Sequence, residues 1–188
     1  MSRAAPGAGT FLLALLAAAG GVRAGEIDSQ RSGVGFSLVT SWREAVDGSF
    51  PVFEGRLTQL SDGRQQVRLA LSAADVVIHG SARNTYFARG NGFFEAERHP
   101  WITFESEPFA PDLLVEGGEL PGLLAIRDVQ RREVFSVLPS ECARPARDCA
   151  VFATGTIDRG HYGMTRWGFV IGRKVGFRLR IYEQGPAG

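Results

Sequence analysis

The 188-residue sequence has little net charge, few histidines and no apolar run long enough to cross a membrane. Its formal charge is +1, and losing Arg3 and Arg23 with an amino-terminal leader would lower it to −1, so no nucleic-acid partner is expected. The three histidines are scattered, which disfavours a metal site built from them. The chain also lacks a Gly-x-Ser-x-Gly elbow, a P-loop and a zincin helix, so no catalytic site is expected.

The first 24 residues have the pattern of a secretory signal peptide. A positive charge at Arg3 precedes an apolar run at residues 11–19, and small residues at Val22 and Ala24 surround the expected cleavage site. The run is shorter than the roughly 20 apolar residues that span a bilayer, which disfavours the alternative of an uncleaved anchor. We therefore expect residues 1–24 to be removed and residues 25–188 to form one soluble, exported domain.

The two cysteines, Cys142 and Cys149, flank a charged turn that contains a proline. Outside the cytoplasm, a pair so close in sequence usually forms a disulfide. A metal or redox site is the alternative, but the spacing is not that of a Cys-x-x-Cys motif and no histidine is close in sequence. We predict a structural disulfide that pins the tip of a hairpin.

Most of the remaining chain alternates apolar with polar residues, which is the period of half-buried β-strands. Strands are predicted at residues 34–39, 50–60, 67–71, 101–109, 123–138, 151–158 and 175–182. A helical period is convincing only at residues 82–94, where Gly90 and Gly92 interrupt it. No repeat or linker divides the chain.

Antiparallel strands with one apolar face can bury that face in a two-sheet sandwich or in a closed barrel. Alternation alone does not choose between the two folds. The choice bears on function, because an eight-stranded barrel can hold one ligand whereas a sandwich fills its core with side chains. The 13 phenylalanines and 24 glycines are compatible with a curved sheet lined by aromatic rings.

Four motifs stand out along the chain. The central motif, at residues 91–106, is a helical segment that ends in Phe-Phe, passes a charged stretch to a proline and enters a strand. The residues of the four motifs are Ile27, Asp28, Ser32, Val34 and Phe36; Gly48, Phe50, Phe53 and Gly55; Phe93, Phe94, Glu95, Pro100, Ile102, Phe104 and Ser106; and Ile157, Asp158, Arg159, Tyr162, Gly163 and Met164. Together the motifs cover nearly the whole mature chain, and in residue type and spacing they resemble the motifs of the YceI family.

The resemblance implies an all-β, lipocalin-like fold, a closed antiparallel barrel of about eight strands with one short helical segment near residues 82–94. It also implies a bacterial periplasmic protein whose apolar interior binds a long isoprenoid or similar lipid, such as a polyprenyl or quinone tail or a fatty acyl chain. Such binding is physically reasonable, because each methylene removed from water contributes about 0.8 kcal/mol. No other cofactor is expected.

The same resemblance, together with the strand alternation, indicates which side chains contact the lipid. The expected apolar lining is Phe36, Leu38, Phe50, Phe53, Phe93, Phe94, Ile102, Phe104, Phe177 and Leu179. The candidates for head-group contacts are Arg83, Asn84 and Arg159. The chain departs from the family near two of them, because residues 83–87 read Arg-Asn-Thr-Tyr-Phe where family members often have Arg-Asp-x-His-Leu.

Two other functions stay open at this point. A stress-related or scaffolding protein with a solidly packed barrel would have the same strand pattern. A hydrolase is less favoured: Asp158, Arg159 and His161 lie together, but neighbouring strand positions point to opposite faces. A buried Asp158–Arg159 pair that closes a barrel turn is the simpler interpretation. Transient contact with a membrane or membrane protein and a dimeric state are both compatible with the sequence.

Overall fold

The computed structural model describes residues 23–185, so the predicted signal peptide lies outside it except for Arg23 and Ala24. The described chain contains eleven β-strands, two short α-helices and one 3-10 helix. The strands are β1 (Arg23–Glu26), β2 (Gly33–Thr40), β3 (Ala45–Ser49), β4 (Phe53–Gln59), β5 (Gln65–Ser72), β6 (Val77–Ile78), β7 (Trp101–Ser106), β8 (Gly118–Ile126), β9 (Val129–Val137), β10 (Val151–Asp158) and β11 (Ile171–Ile181). The helices are α1 (Ala82–Arg89) and α2 (Leu113–Glu116), and the 3-10 helix spans Arg159–Tyr162.

All eleven strands form one curled, antiparallel sheet in the order β1-β4-β5-β7-β8-β9-β10-β11-β2-β3-β6. The all-β, antiparallel prediction is confirmed, but the prediction of a closed barrel of about eight strands is wrong. The two ends of the order, β1 and β6, do not pair with each other in the described chain. β6 has only two residues, too few to carry the ladder further. A single bridge between Ile27 and Glu183 links the β1 end to the chain after β11.

The strand count differs from the prediction for local reasons. Residues 123–138 form parts of two strands, because Arg127 and Asp128 make a tight turn between β8 and β9 in which Arg127 has a φ of 59°. β1, β3 and β6 were not predicted, since these short segments carry little apolar alternation. Short strands of this kind, at a sheet edge or next to one, are specified by their neighbours more than by their own sequence.

The longer strands turn their apolar faces into the curl, as alternation predicts. On β7, Ile102 and Phe104 are 1% and 8% exposed, while Trp101 and Thr103 face outward. Across the sheet, Phe104 lies opposite Leu124 of β8 in the strand register. The core therefore fills the inside of the curled sheet.

Three glycines make room for phenylalanine rings in this core. A methyl group added at Gly122 would lie 2.5 Å from the Phe104 ring, and one at Gly155 would lie 2.6 Å from the Phe135 ring. Gly48 faces a third ring in the same way. The combination of many glycines with many phenylalanines follows from this packing, because a ring can lie directly on a strand only where that strand lacks a side chain.

The predicted helical segment forms a shorter helix than expected. The Ser81 side chain accepts a hydrogen bond from the Asn84 backbone N–H at 3.1 Å and caps α1. The helix ends at Arg89, because Gly90 is extended and Gly92 has a φ of 83°. Residues 91–94 form a turn instead. None of the helices in residues 23–185 has the length and apolar character needed to span a bilayer.

Cys142 and Cys149 form the predicted disulfide in the connection between β9 and β10, with their Cα atoms 6.1 Å apart. The loop that they close packs on the end of the chain. The Glu183 backbone N–H donates to the Ala146 carbonyl at 2.7 Å, and Arg147 pairs with the Glu183 carboxylate at 2.8 Å. Ala146 is buried. The bridged loop thus covers one end of the curled sheet.

Candidate functional site

A cavity of about 630 Å³, here called the outer cavity, lies at the end of the sheet away from the disulfide loop. Its volume is within the range of roughly 300–1,000 Å³ that is usual for small-molecule sites. The apolar residues that line it are Phe36, Leu38, Trp42, Val46, Ile78, Phe87, Ala88, Phe93, Phe94, Ile126, Ile157, Met164, Trp167, Val170, Ile171, Val175 and Phe177. The polar residues are Thr40, Glu44, Arg83, Asn84 and Arg159.

The exposed polar residues of this lining and its buried phenylalanines lie at different depths. Glu44, Arg83 and Asn84 are exposed, so they mark the mouth of the outer cavity. Phe36 and Phe177 are 3% and 5% exposed, so they form its floor. Such a cavity suits a ligand with an apolar tail inside and a polar group at the mouth.

Helix α1 forms one side of the mouth and is tied to the sheet by hydrogen bonds. The Ile78 backbone N–H donates to the Thr85 hydroxyl at 2.8 Å, and the Arg89 guanidinium donates twice to the Val76 carbonyl, at 3.2 and 2.9 Å. Ala88 is the one residue of α1 that is buried. Hydrogen bonds to the sheet therefore hold α1 in place more than burial of its side chains does.

The Phe-Phe pair and the charged stretch after it hold the next segment against the sheet. The Phe94 ring packs edge-on against Phe50, with centroids 5.7 Å apart. Glu95 has a φ of 50° and pairs with Arg127 in the β8–β9 turn. Arg127 also donates to the Gly163 carbonyl at 3.1 Å. The aromatic pair therefore forms part of the cavity wall, and the charges beside it fix that wall in place.

Arg159 lies deeper, with 3% of its surface exposed. Its guanidinium has five N–H groups, and four of them donate to backbone carbonyls of the segment before and at the start of β11. The acceptors are the carbonyls of Met164, Arg166, Ile171 and Gly172. Burial lowers the pKa of Arg159, and the charge of Asp158 opposes that shift. One N–H is left for a ligand, so Arg159 chiefly positions this segment.

A layer of phenylalanine rings lies at the floor of the outer cavity, where two of its members, Phe36 and Phe177, line the cavity. The Phe177 centroid lies 6.4, 6.5 and 6.3 Å from those of Phe36, Phe50 and Phe135, and Phe135 lies 4.9 Å from Phe104. We call these five residues the ring layer. A second, almost wholly apolar cavity of about 90 Å³, the inner cavity, shares Phe177 with the outer cavity as a lining residue. The ring layer thus divides the interior into two compartments.

The structure distributes the predicted lining residues over both compartments. Phe36, Leu38, Phe93, Phe94 and Phe177 line the outer cavity. Ile102, Phe104, Leu179 and again Phe177 line the inner cavity. Phe50 and Phe53 are buried without lining either cavity. All three head-group candidates, Arg83, Asn84 and Arg159, line the outer cavity.

Several residues of the outer cavity were missed by sequence reasoning, Trp42 and Trp167 among them. Both lie in turns, where no strand or helical period exists. The chain has three tryptophans, and two of them fall outside every predicted strand. That position was the available signal, because a large apolar side chain in a loop needs another surface to cover it.

Two of the residues considered for acid-base chemistry, Asp158 and Arg159, have structural roles. The predicted Asp158–Arg159 pair is not formed, because Asp158 instead pairs with Arg173 at 3.1 Å and accepts from the Gly160 N–H at 2.9 Å. Burial acts to raise the pKa of Asp158, but these hydrogen bonds outweigh it and the pKa lies below its ordinary value, so Asp158 is a weak base. His161 is exposed. Among the described residues, no three His, Cys, Asp or Glu side chains cluster as metal ligands would.

Comparisons with known proteins agree with this architecture. A family model described as a YceI-like domain matches residues 26–182. The fold is similar to BcnA from Burkholderia cenocepacia, with 16% identity, 82% of this chain and 98% of that chain covered, and a TM-score of 0.66. It is also similar to a polyisoprenoid binding domain from Saccharophagus degradans, with 13% identity, coverages of 88% and 100%, and a TM-score of 0.64. A comparison with curated proteins found no match.

Proposed function

Because this chain belongs to the YceI family, we propose that it binds the apolar tail of an isoprenoid or quinone-like lipid in the outer cavity. The observation that carries the proposal is the cavity of about 630 Å³, apolar at its floor and polar at its mouth. The domain from S. degradans with the same fold is described as polyisoprenoid binding, which supports the same ligand class here. A solidly packed core, the alternative, would leave no compartment of this size.

The volume of the outer cavity limits the length of tail that it encloses. A methylene group occupies about as much space as a water molecule, roughly 30 Å³, so a cavity of about 630 Å³ holds about twenty carbon atoms. With five carbons per isoprene unit, this corresponds to about four units. The inner cavity, of about 90 Å³, is too small to extend the tail unless the ring layer moves.

The expected binding energy is sufficient for a carrier. Ten methylenes removed from water contribute about 8 kcal/mol before the cost of ordering the tail is subtracted. Arg83 and Asn84 lie at the mouth, where they can hydrogen-bond to a hydroxyl, carbonyl or phosphate on the head of the lipid.

We further propose that the protein acts in the periplasm after cleavage near Ala24. Arg23 and Ala24 pair with Gln59 and Thr58 of β4, and cleavage after Ala24 would leave Gly25 and Glu26 to hold this edge. Amino-terminal sequencing of the exported protein should therefore begin at or near Gly25. Soluble, exported protein that still begins with Met1 would refute this part of the proposal.

Two matched leucine substitutions test the site. Leu38 lines the outer cavity and Leu179 lines the inner cavity, and both are partly buried. Leu38→Trp should fill part of the outer cavity and weaken binding of geranylgeraniol, measured by calorimetry, with little change in urea stability. Leu179→Trp should leave that affinity near wild type but cost about 1–3 kcal/mol of stability, because it overpacks a small space. If only Leu179→Trp lost affinity, the tail would bind in the inner cavity, and the proposed site would be refuted.

A further inference from the structure

Exposed aromatic side chains form a continuous rim beside the mouth of the outer cavity. The rim consists of Trp42, Tyr86, Phe87, Trp167 and Phe169, which are 40–79% exposed. The ring centroids of Tyr86 and Phe87, Phe87 and Trp167, and Trp167 and Phe169 are 6.0, 6.5 and 6.1 Å apart. The turn that carries Trp42 joins this row, because the neighbouring Ser41 hydroxyl donates to the Phe169 carbonyl at 2.6 Å.

Positive charge lies beside this aromatic rim. Arg43, Arg83 and Arg166 are exposed, and within residues 23–185 none of the three takes part in a salt bridge. The Arg166 guanidinium lies 6.0 Å from the Trp167 ring centroid. Among the described residues that line the outer cavity, Glu44 is the one acidic residue. Since the whole chain has a formal charge of only +1, this concentration of cations is local.

We infer that the aromatic rim and its arginines dock the mouth of the outer cavity onto the surface of an anionic phospholipid bilayer. Tryptophan and tyrosine favour the interface between water and lipid, and an arginine near an anionic membrane surface contributes about 1 kcal/mol to binding. A second copy of the chain fits this surface less well, because a two-fold interface would bring the same arginines together. Docking would let a lipid tail pass between the bilayer and the outer cavity without crossing water, and this use of docking rests on the proposed function.

Vesicle flotation of the exported protein tests the inference with surface variants outside the cavity lining. Tyr86→Ser combined with Phe169→Ser removes two rim aromatics that are 75% and 79% exposed, and Arg43→Gln removes one cation. Phe152→Ser is the matched control, since Phe152 is 47% exposed at the start of β10, whereas the end of that strand reaches the outer cavity at Ile157.

We expect the wild-type protein to float with vesicles of phosphatidylcholine and phosphatidylglycerol, and more weakly with phosphatidylcholine alone. Arg43→Gln should weaken binding about fivefold, which corresponds to about 1 kcal/mol. The double aromatic variant should lose binding by tenfold or more, and Phe152→Ser should bind as the wild type does. Equal binding by all four proteins, or no binding by the wild type, would overturn the inference. The inference would also be overturned if the wild-type protein were a dimer and the double aromatic variant a monomer, because a second copy of the chain would then occupy the rim.

Geranylgeraniol binding without vesicles separates this inference from the proposed function. Tyr86, Phe169 and Arg43 do not line the outer cavity. The variants should therefore bind geranylgeraniol with the same affinity as the wild type. A protein that floats with anionic vesicles yet binds no tail would support docking and refute the proposed function. A protein that binds the tail but never floats would do the reverse.

Discussion

Replacing Phe177 with alanine should join the two cavities and lengthen the tail that the protein can enclose. Phe177 is 5% exposed and is the ring shared by both linings. Its removal frees the space of six ring carbons and opens the inner cavity of about 90 Å³. At roughly 30 Å³ per carbon, this adds room for about nine carbons, or nearly two isoprene units. Truncation of a buried phenylalanine should also cost about 3–5 kcal/mol of stability.

The assay combines urea unfolding with a series of prenyl alcohols from about three to six isoprene units. Wild-type affinity should rise up to about four units and then level off, whereas affinity of Phe177→Ala should continue to rise to about six. Longer alcohols should also recover part of the lost stability, because a ligand that binds only the folded state stabilises it. Phe53→Ala is the matched control, since Phe53 is buried but lines neither cavity.

Phe53→Ala should lower stability without changing the length preference. Two results would refute the division of the interior by the ring layer. One is wild-type affinity that keeps rising well beyond four units. The other is a Phe177→Ala variant whose affinity levels off at the same length as that of the wild type.

Three further predictions concern the fold. Gly155→Ala should lower the free energy of unfolding by about 1–3 kcal/mol, because the new methyl group meets a core ring. The control is Gly176→Ala on the adjacent strand, whose methyl group would lie 3.6 Å from its nearest neighbour and should change the free energy of unfolding by under about 0.5 kcal/mol. Equal losses of stability in the two variants would contradict the packing. Replacing Cys142 and Cys149 with alanine should cost about 2–3 kcal/mol, and two reactive thiols in the denatured, unreduced wild type would disprove the disulfide. Burial and a hydrogen bond to the Glu133 carboxylate raise the pKa of Tyr162 above its ordinary value of 10.0. The stability that this group contributes is therefore complete below pH 10.0 and is lost as the pH rises above that value. A Tyr162→Phe variant that loses stability at alkaline pH as the wild type does would contradict this assignment.

Features that depend on neighbouring residues in the chain were predictable from the sequence. The alternation around Ile102 and Phe104 was enough to assign their inward direction, because successive strand residues point to opposite faces whatever the topology. The disulfide followed from short spacing and an expected oxidising compartment. The helix start at Ser81 and the glycines that end α1 are likewise local.

Features that depend on strand order were not predictable in this way. Phe36 and Phe177 are far apart in sequence but lie opposite each other on β2 and β11, and only that pairing makes the ring layer. Alternation alone therefore predicts one lining surface, whereas the structure separates Leu38 from Leu179. The role of Arg159 was also hidden, because its four acceptors are backbone carbonyls, two in the segment before β11 and two at the start of that strand. Every residue has a backbone carbonyl, so the sequence does not indicate which carbonyls accept these hydrogen bonds.

The central claim, that the outer cavity holds a lipid tail, is tested most directly by mass spectrometry of an organic extract from protein purified out of its native exported compartment. We expect a stoichiometric lipid with an isoprenoid or quinone-like tail, which is strongly reduced in Leu38→Trp and retained in Leu179→Trp. A wild-type extract without stoichiometric lipid, together with no affinity for added prenyl alcohols, would contradict it and leave a stress-related or scaffolding role as the better explanation.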